Sequence, residues 1–122
     1  MGATDITIEA VRLALNAASL RHAAIAGNVA NAGSTNYVPM RVTFEDRLAD
    51  ALAASRWGGD NEVARAISDL QPELVSSDGP KQVQIETEMT QLSVNSLRYH
   101  ALAKGLSRYF SMASVIATGG KG

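Results

Sequence analysis

The sequence contains no cysteine, which excludes disulfide bridges, cysteine-zinc sites and thiol catalysis. Aromatic residues are also scarce, with one Trp, three Tyr and two Phe in 122 residues, although 46% of the chain is apolar. Much of the apolar content is alanine, whose side chain buries little area but lets helices approach closely. The composition predicts one small domain held together by close helix packing instead of a bulky core.

An excess of charge of one sign is missing as well. Eleven Lys and Arg against twelve Asp and Glu give a formal net charge of −1, and the charges form no long runs. This balance lacks the basic patch that binding to nucleic acid or to an anionic membrane requires. We therefore expect no nucleic-acid partner and no direct lipid binding.

Long apolar runs are absent, so no segment is expected to span a membrane. The start, Met1 to Ile8, lacks both the basic residues and the apolar run of a secretory signal peptide. If the protein leaves the cytoplasm, we expect a dedicated export apparatus and no cleaved signal.

The residues that usually carry catalysis are isolated from one another in the sequence. His22 and His100 fall on different predicted helices, and neither begins a metal-binding spacing. Glu86 and Glu88 point to different faces of a helix start, where interaction with the helix dipole accounts for both. The glycines match no phosphate-binding loop. The sequence predicts a protein that is not an enzyme and has no metal site or cofactor.

The first predicted helix runs from Asp5 to Ala32, with Thr4 or Asp5 as its N-cap and Gly33 as a left-handed C-cap. Its seam follows a 3-4 spacing: Ile8, Val11, Leu15, Ala18, His22, Ile25, Val29 and Ala32. His22 is interpreted as a polar residue that sets the register of this seam. Small side chains flank the seam and predict a second close neighbour: Ala10, Ala14, Ala17 and Ala24.

The middle of the chain, residues 33–81, is rich in helix breakers. Alternating apolar residues from Val38 to Phe44 predict a short extended piece, and Thr43 is expected to cap a brief helix from Phe44 to Ala54. From residue 55 to residue 80 we expect an irregular, partly flexible linker with one helical turn around Glu62 to Leu70.

The last predicted helix, Val83 to Ala117, has the longest apolar pattern. Its seam is Ile85, Met89, Leu92, Ser96, Tyr99, Ala103, Leu106, Phe110, Ala113 and Ala117. A second stripe makes the apolar face wider than a two-stranded seam: Leu97, Leu102, Tyr109, Met112 and Ile116. Such a helix is about 50 Å long, whereas a compact domain of this size is roughly 35 Å across. Part of its face is therefore expected to be covered by other chains.

Together these patterns predict a mainly α fold. Two long terminal helices pack as an antiparallel coiled coil, joined by a long irregular, partly flexible middle region with a short helix. The predicted divisions are residues 1–32, residues 33–81 and residues 82–122. The positions expected at helix-packing and subunit interfaces are Ile8, Val11, Leu15, Ile25, Val29, Ile85, Met89, Leu92, Asn95, Tyr99, Leu102, Leu106 and Phe110.

A short motif follows the first predicted helix. Residues 28–37 read Asn-Val-Ala-Asn-Ala-Gly-Ser-Thr-Asn-Tyr, which resembles the Asn, apolar, Ala, Asn, two residues, Thr-Pro-Gly-Tyr pattern of the bacterial flagellar axial rod and hook family. The motif positions are Asn28, Ala30, Asn31, Ser34 and Tyr37. Ser, Thr35 and Asn36 stand where Thr, Pro and Gly are usual. The last exchange is mild because Asn tolerates the left-handed conformation better than other residues with a side chain.

The last predicted helix extends the resemblance. Residues 88–102 are similar to the terminal helix of the proximal rod subunit of this family, and Leu106-Ser107 and Phe110-Ser111 continue the likeness. Other rod subunits share the Asn-Ala-Asn motif but not this ending. Residues 82–84 depart from the family's Asn-Val-Asp, which weakens the predicted helix cap.

The resemblance implies a structural subunit of the proximal flagellar rod that self-associates through its terminal helices and transmits torque. It implies a place in the periplasmic part of the basal body, and export by the flagellar type III apparatus. The implied partners are the rod proteins FlgC and FlgF, the adaptor FliE and the export gate. Phe44 and Leu48 fit a Phe-x-x-x-apolar export-gate signal, although amphipathic helix packing explains the same pair.

Two other functions compete with this interpretation. The first is a different axial subunit, such as FlgC, whose expected C-terminal pattern does not occur here. The second is a soluble coiled-coil secretion adaptor or chaperone, which is expected to fold alone as a stable dimer.

Overall fold

The computed structural model describes residues 3–119. Its elements in chain order are α1 (Ala3–Ala30), β1 (Met40–Thr43), α2 (Glu45–Ser55), α3 (Gly59–Ser68), β2 (Glu73–Ser76) and α4 (Ile85–Ala117). The fold is therefore mainly helical, with a long helix at each end, as the sequence predicts.

The two long helices lie side by side and run antiparallel. Near the end of α1, Asn28 Nδ2 lies 3.4 Å from Glu88 Oε2 near the start of α4. Further along, Asn95 Nδ2 donates a 2.8 Å hydrogen bond to the carbonyl oxygen of Ala18. Earlier still in α1, Leu15 borders a groove whose other wall includes residues 103–114 of α4. The antiparallel pairing is as predicted, while coiled-coil geometry stays a prediction.

A two-stranded antiparallel sheet crosses the middle region. β1 and β2 pair in a register that places Met40 opposite Ser76 and Thr43 opposite Glu73. The extended segment predicted from the alternation of apolar residues is thus present. Because side chains alternate along a strand, Val42 is buried whereas Arg41 is exposed.

The hydrophobic core lies between α1 and the middle region. It comprises Leu13, Ala17, Ala24, Val42, Phe44, Ile67 and Leu70. The alanines of α1 allow the close approach, because a larger side chain there would hold the middle region away. The second close neighbour predicted for this helix is therefore the middle of the same chain, while α4 packs on another side.

Within the linker predicted from residue 55 to residue 80, the helical turn expected around Glu62 to Leu70 is present as part of the longer α3, but the prediction that the rest is irregular is wrong for much of its length. The segment contains all of α3 and β2, and buried Ile67 and Leu70 attach it to the core. The breakers delimit these elements instead of disrupting them. Gly59 has φ +79° at the start of α3, and Gly79 has φ +107° in the turn after β2, both in the left-handed region that favours glycine.

Several predicted helix ends are also wrong. Thr4 and Asp5 lie inside α1, which begins at Ala3, so neither is an N-cap. Gly33 does not adopt the predicted left-handed conformation, because α1 ends earlier, at Ala30, in a succession of tight turns. The left-handed residue is Asn36, with φ +61°, at the position where the rod family usually has Gly.

The helix predicted after Thr43 is α2, but its expected cap is absent. Phe44 precedes the helix and no side chain caps it by a hydrogen bond. Thr43 is instead the last residue of β1. Glu45 and Asp46 occupy the first turn of α2, where their negative charges interact favourably with the helix dipole. α4 also begins without a side-chain cap, at Ile85, and ends at Ala117 as predicted. Of the predicted tail, residues 120–122 lie outside the described residues.

Candidate assembly interface

A buried polar cluster joins the end of α1 to β1 and α4. We call it the polar clamp, formed by Asn28, Tyr37, Arg41 and Glu88 with the backbone of Met40. Asn28 has no exposed surface. Its Oδ1 accepts hydrogen bonds of 2.9 Å from the Tyr37 hydroxyl and 2.9 Å from the Met40 N–H. Its Nδ2 donates to the Met40 carbonyl at 3.0 Å. One side chain thus satisfies both backbone groups of a strand residue.

Glu88 completes the clamp from α4. It is 2% exposed, and its Oε1 lies 2.8 Å from Nη2 of Arg41 on β1. Arg41 remains partly in solvent, with 45% of its side chain exposed, so water also solvates its charge. A buried carboxylate is tolerated when it is paired and hydrogen-bonded in this way. The helix dipole, invoked from the sequence, is therefore not the main reason for Glu88.

The other motif residues act locally. Asn31 Nδ2 donates 2.9 Å to the carbonyl oxygen of Gly27, and its Oδ1 lies 3.3 Å from the Ser34 hydroxyl. These bonds hold the turn that follows α1. Ala30 is exposed. Of the five motif positions, the structure brings Asn28 and Tyr37 together in the clamp, whereas Asn31 and Ser34 shape the turn.

The inner face of α4 differs from the predicted seam. Its buried residues are Glu88 and Asn95, which lie seven residues apart and hence on one face, with half-buried Leu92 between them. Ile85 and Met89 were predicted in the seam, but they are 48% and 47% exposed. Asn95 is one of the predicted interface positions, whereas the search for apolar periodicity passed over Glu88. The sequence does contain a signal for this face: Glu88, Leu92 and Asn95 follow a 4-3 spacing, with a polar residue at each end.

The seam of α1 is shifted in the same way. Ile25 is buried and Ile8, Val11, Leu15 and Val29 are half-buried. His22, predicted to set the register from within the seam, is exposed. Asn28 is the polar residue of α1 that is buried, so it holds the position in the helix pairing that we had expected for His22.

Much of α4 faces solvent with apolar side chains. We use the name outer face for all the exposed large apolar side chains of α4, which lie on more than one side of the helix: Ile85, Met89, Val94, Leu97, Tyr99, Tyr109, Phe110, Met112, Val115 and Ile116. Leu97 is 72% exposed and Ile116 is 76% exposed. Single exposed apolar residues are ordinary, but a set extending along a whole helix is typical of an interaction surface. Of the other predicted interface residues on α4, Leu102 and Leu106 are half-buried against α1.

No family model matches the chain. The chain is similar to the flagellar basal body rod protein FlgB of Bacillus subtilis (strain 168). The two are 27% identical over 124 residues, which cover 94% of this chain and 95% of FlgB. The chain is thus a distant relative of a flagellar rod protein.

The similarity to FlgB extends over nearly the full length of both proteins, so it includes both terminal helices and the middle region. Within residues 3–119 no three His, Asp or Glu side chains are grouped as a metal site would need. No helix of that described part is long and apolar enough to cross a membrane.

Phe44 and Leu48, the pair that fits an export-gate signal, both face the core. Phe44 is 1% exposed, and Leu48 packs against the same cluster. In the folded chain the pair therefore has a packing role. Whether it is also an export signal stays a prediction.

An ion-pair cluster links α1, α2 and α4 outside the clamp. Arg21 on α1 donates to both carboxylate oxygens of Glu45, at 3.1 Å and 2.8 Å, and Nη1 of Arg98 on α4 lies 3.5 Å from Glu45 Oε1. Partial burial acts to raise the pKa of Glu45, but the hydrogen bonds from Arg21 and the charges of both arginines outweigh it and hold this pKa below its ordinary value.

We expect the Arg21–Glu45 pair to make stability depend on pH. A carboxylate whose pKa is lowered by folding stabilises the protein above its unfolded pKa, near 4.5, and loses this contribution as pH falls through the folded pKa. The difference in free energy of unfolding between the wild type and Glu45→Gln should be largest near pH 7 and shrink below about pH 4.5. Urea unfolding from pH 7 to pH 3 measures it. Arg21→Gln should show the same weakened dependence, and an undiminished dependence in both variants would contradict this assignment.

Proposed function

We propose that this protein is a structural subunit of the proximal rod of the bacterial flagellar basal body. It polymerises through α1 and α4 and so contributes to the drive shaft that transmits torque. The observation that carries the proposal is the outer face of α4, which one chain leaves uncovered along the length of its longest helix. The full-length similarity to a flagellar basal body rod protein supports it.

Shared burial is the source of stability in this assembly. A Leu or Ile side chain that passes from solvent to a packed interface contributes about 1.5–3 kcal/mol. Leu97 and Ile116 are each more than two-thirds exposed in the single chain, so most of that contribution becomes available only on association. Repeated around and along a polymer, such contacts resist torque without any catalytic chemistry.

The location and partners of the subunit follow from the same proposal. The subunit lies in the periplasmic rod, next to FlgC, FlgF and the FliE adaptor, and reaches it through the flagellar type III export gate. Phe44 and Leu48 act as the gate signal only before the chain folds, because folding buries Phe44 in the core.

Replacing Leu97 with aspartate tests the outer face. Because Leu97 is 72% exposed, the isolated chain should keep its helical circular dichroism, while the concentration needed for assembly rises by about tenfold or more. Sedimentation velocity over a concentration series measures the shift, and motility plates with electron microscopy of basal bodies give the cellular result. Ala54→Asp, which adds the same charge on α2 at an exposed position, is the control.

The outcomes separate the candidate functions. A rod subunit assembles beyond a dimer, and its Leu97→Asp strain lacks rods and motility. A stable dimer that does not grow with concentration would favour the secretion adaptor. Normal rods and motility in the Leu97→Asp strain would refute the proposed interface. Rods that begin normally at the membrane but stop further out would favour an FlgC-like subunit.

A further inference from the structure

A groove between α1 and α4 contains a buried acceptor without a donor. The groove has a volume of about 350 Å³ and is lined by Ala18, Ser19, His22, Asn95, Ser96, Tyr99 and His100. This volume is at the small end of the roughly 300–1,000 Å³ that ligand pockets occupy. Asn95 is 3% exposed. Its Nδ2 is bonded to Ala18, but its Oδ1 accepts no hydrogen bond within residues 3–119.

An unpaired buried carbonyl destabilises the folded chain, so an occupant that supplies a donor is favoured. Oδ1 has under 1 Å² of accessible surface, so docking requires a small turn of a lining side chain. Tyr99, one of the lining side chains, is 40% exposed. Rotamer changes of this size are common when proteins bind one another. The best occupant is therefore a flat apolar group that carries one N–H or O–H.

The chain presents such a group elsewhere on its surface. Trp57 lies at the tip between α2 and α3 and is 88% exposed. Its indole is large and apolar, with one N–H donor. Trp is enriched among the residues that contribute most to binding at interfaces.

The tip that carries Trp57 is held in place before any binding. The guanidinium carbon of Arg56 lies 5.1 Å from the indole centroid. The Gly58 N–H donates 2.9 Å to the carbonyl oxygen of Ser55, and a Cβ at Gly58 would lie 2.3 Å from Glu62 Cγ, so only glycine fits there. Because these contacts define the backbone turn, little backbone entropy is lost when Trp57 docks.

We propose that Trp57 of one copy inserts into the groove of the next copy and donates its indole N–H to Asn95 Oδ1. This inference rests on the proposed function and deepens it. Trp57, which we call the knob, and the groove lie on different surfaces of one molecule, so the contact between copies is heterologous. Repetition of such a contact gives an open helical polymer when the rotation does not close a ring.

The single Trp of the chain makes the contact directly observable. In wild-type protein, the tryptophan emission should shift to shorter wavelength as assembly proceeds, because the indole leaves water. Trp57→Ala should weaken association by about 30-fold or more, and Trp57→Phe, which keeps a ring but loses the donor, should lie between the two. Sedimentation velocity and far-ultraviolet circular dichroism record association and fold together.

A mixing experiment tests the heterologous geometry. Ser19→Phe fills the groove from an exposed position and leaves the knob, whereas Trp57→Ala removes the knob and leaves the groove. At concentrations where the wild type polymerises, each variant alone should fail to do so, and the mixture should form pairs that do not grow.

The results distinguish this inference from the proposed function. Assembly of Trp57→Ala at wild-type concentrations, or of wild type with no change in emission, would overturn the inference. If Leu97→Asp still fails to assemble in that case, the rod proposal stands. A wild-type chain that never associates would overturn both proposals. If the emission shifts only when a different protein is added, that protein and not a second copy of this chain occupies the groove, and the inference is overturned.

Discussion

Asn28→Ala is expected to lower the free energy of unfolding by about 3 kcal/mol or more. The substitution removes an acceptor shared by the Tyr37 hydroxyl and the Met40 N–H, and a donor to the Met40 carbonyl. Asn28 has no exposed surface, so water cannot replace these bonds without opening the structure. Each buried polar group left unpaired costs about 1–3 kcal/mol, which is a large part of the 5–15 kcal/mol typical of a folded domain.

Urea unfolding followed by circular dichroism measures this loss. The matched control is Asn31→Ala, which makes the same chemical change three residues later, where the side chain is half-buried and bonds only within its own turn. Its effect should stay near 1 kcal/mol or below. Asn28→Asp should also destabilise, because it loses the donor and places a second carboxylate beside Glu88. Equal effects of Asn28→Ala and Asn31→Ala would show that the clamp has no special role.

The helix pairing was predictable from the sequence because its signal is local and repeated. In both α1 and α4 apolar residues recur over many turns, and small errors at the ends do not change the conclusion. The left-handed conformation was assigned to Gly33, but the structure has it at Asn36, one of the few kinds of residue with a side chain that adopt φ +61° at low cost.

The clamp was less predictable, because its partners are far apart in sequence. Arg41 and Glu88 are 47 positions apart, and Asn28 and Glu88 are 60 apart. Nothing in the local pattern pairs them, and both Glu88 and Asn95 interrupt the apolar face by which α4 was recognised. The buried face of α4 next to α1 is thus partly polar, while its most apolar stretch is the outer face.

The middle region was mispredicted for a different reason. α3 and β2 are ten and four residues long, too short for periodicity to outweigh the neighbouring glycines and prolines. α3 is ordered by tertiary burial of Ile67, with Leu70 just after the helix, against the alanine face of α1, whereas β2 has no buried residue and is ordered by pairing with β1. A propensity argument cannot include a contact that depends on a helix some fifty residues earlier in the chain.

Phe44→Ala should destabilise the folded chain by about 3–5 kcal/mol, the usual cost of removing a fully buried Phe. Phe44 is 1% exposed and is the largest side chain of the core cluster, where it meets residues from α1 and α3. Phe44→Leu should cost about 1.5 kcal/mol or less, because it keeps most of the apolar volume. Leu74→Ala, at a position 46% exposed on β2, is the control and should cost clearly less than Phe44→Ala. Urea midpoints with unchanged m-values give these differences.

The same variants separate the packing role of Phe44 from an export role. In the proposed export route the gate would meet an unfolded chain, so a signal there would depend on the identity of the side chain and not on the stability of the fold. If Phe44→Leu stays stable but is exported poorly, Phe44 serves both the core and the gate. If export of Phe44→Leu and Phe44→Ala equals that of the wild type while stability falls as expected, Phe44 is a core residue alone, and the proposal that it is a gate signal is refuted.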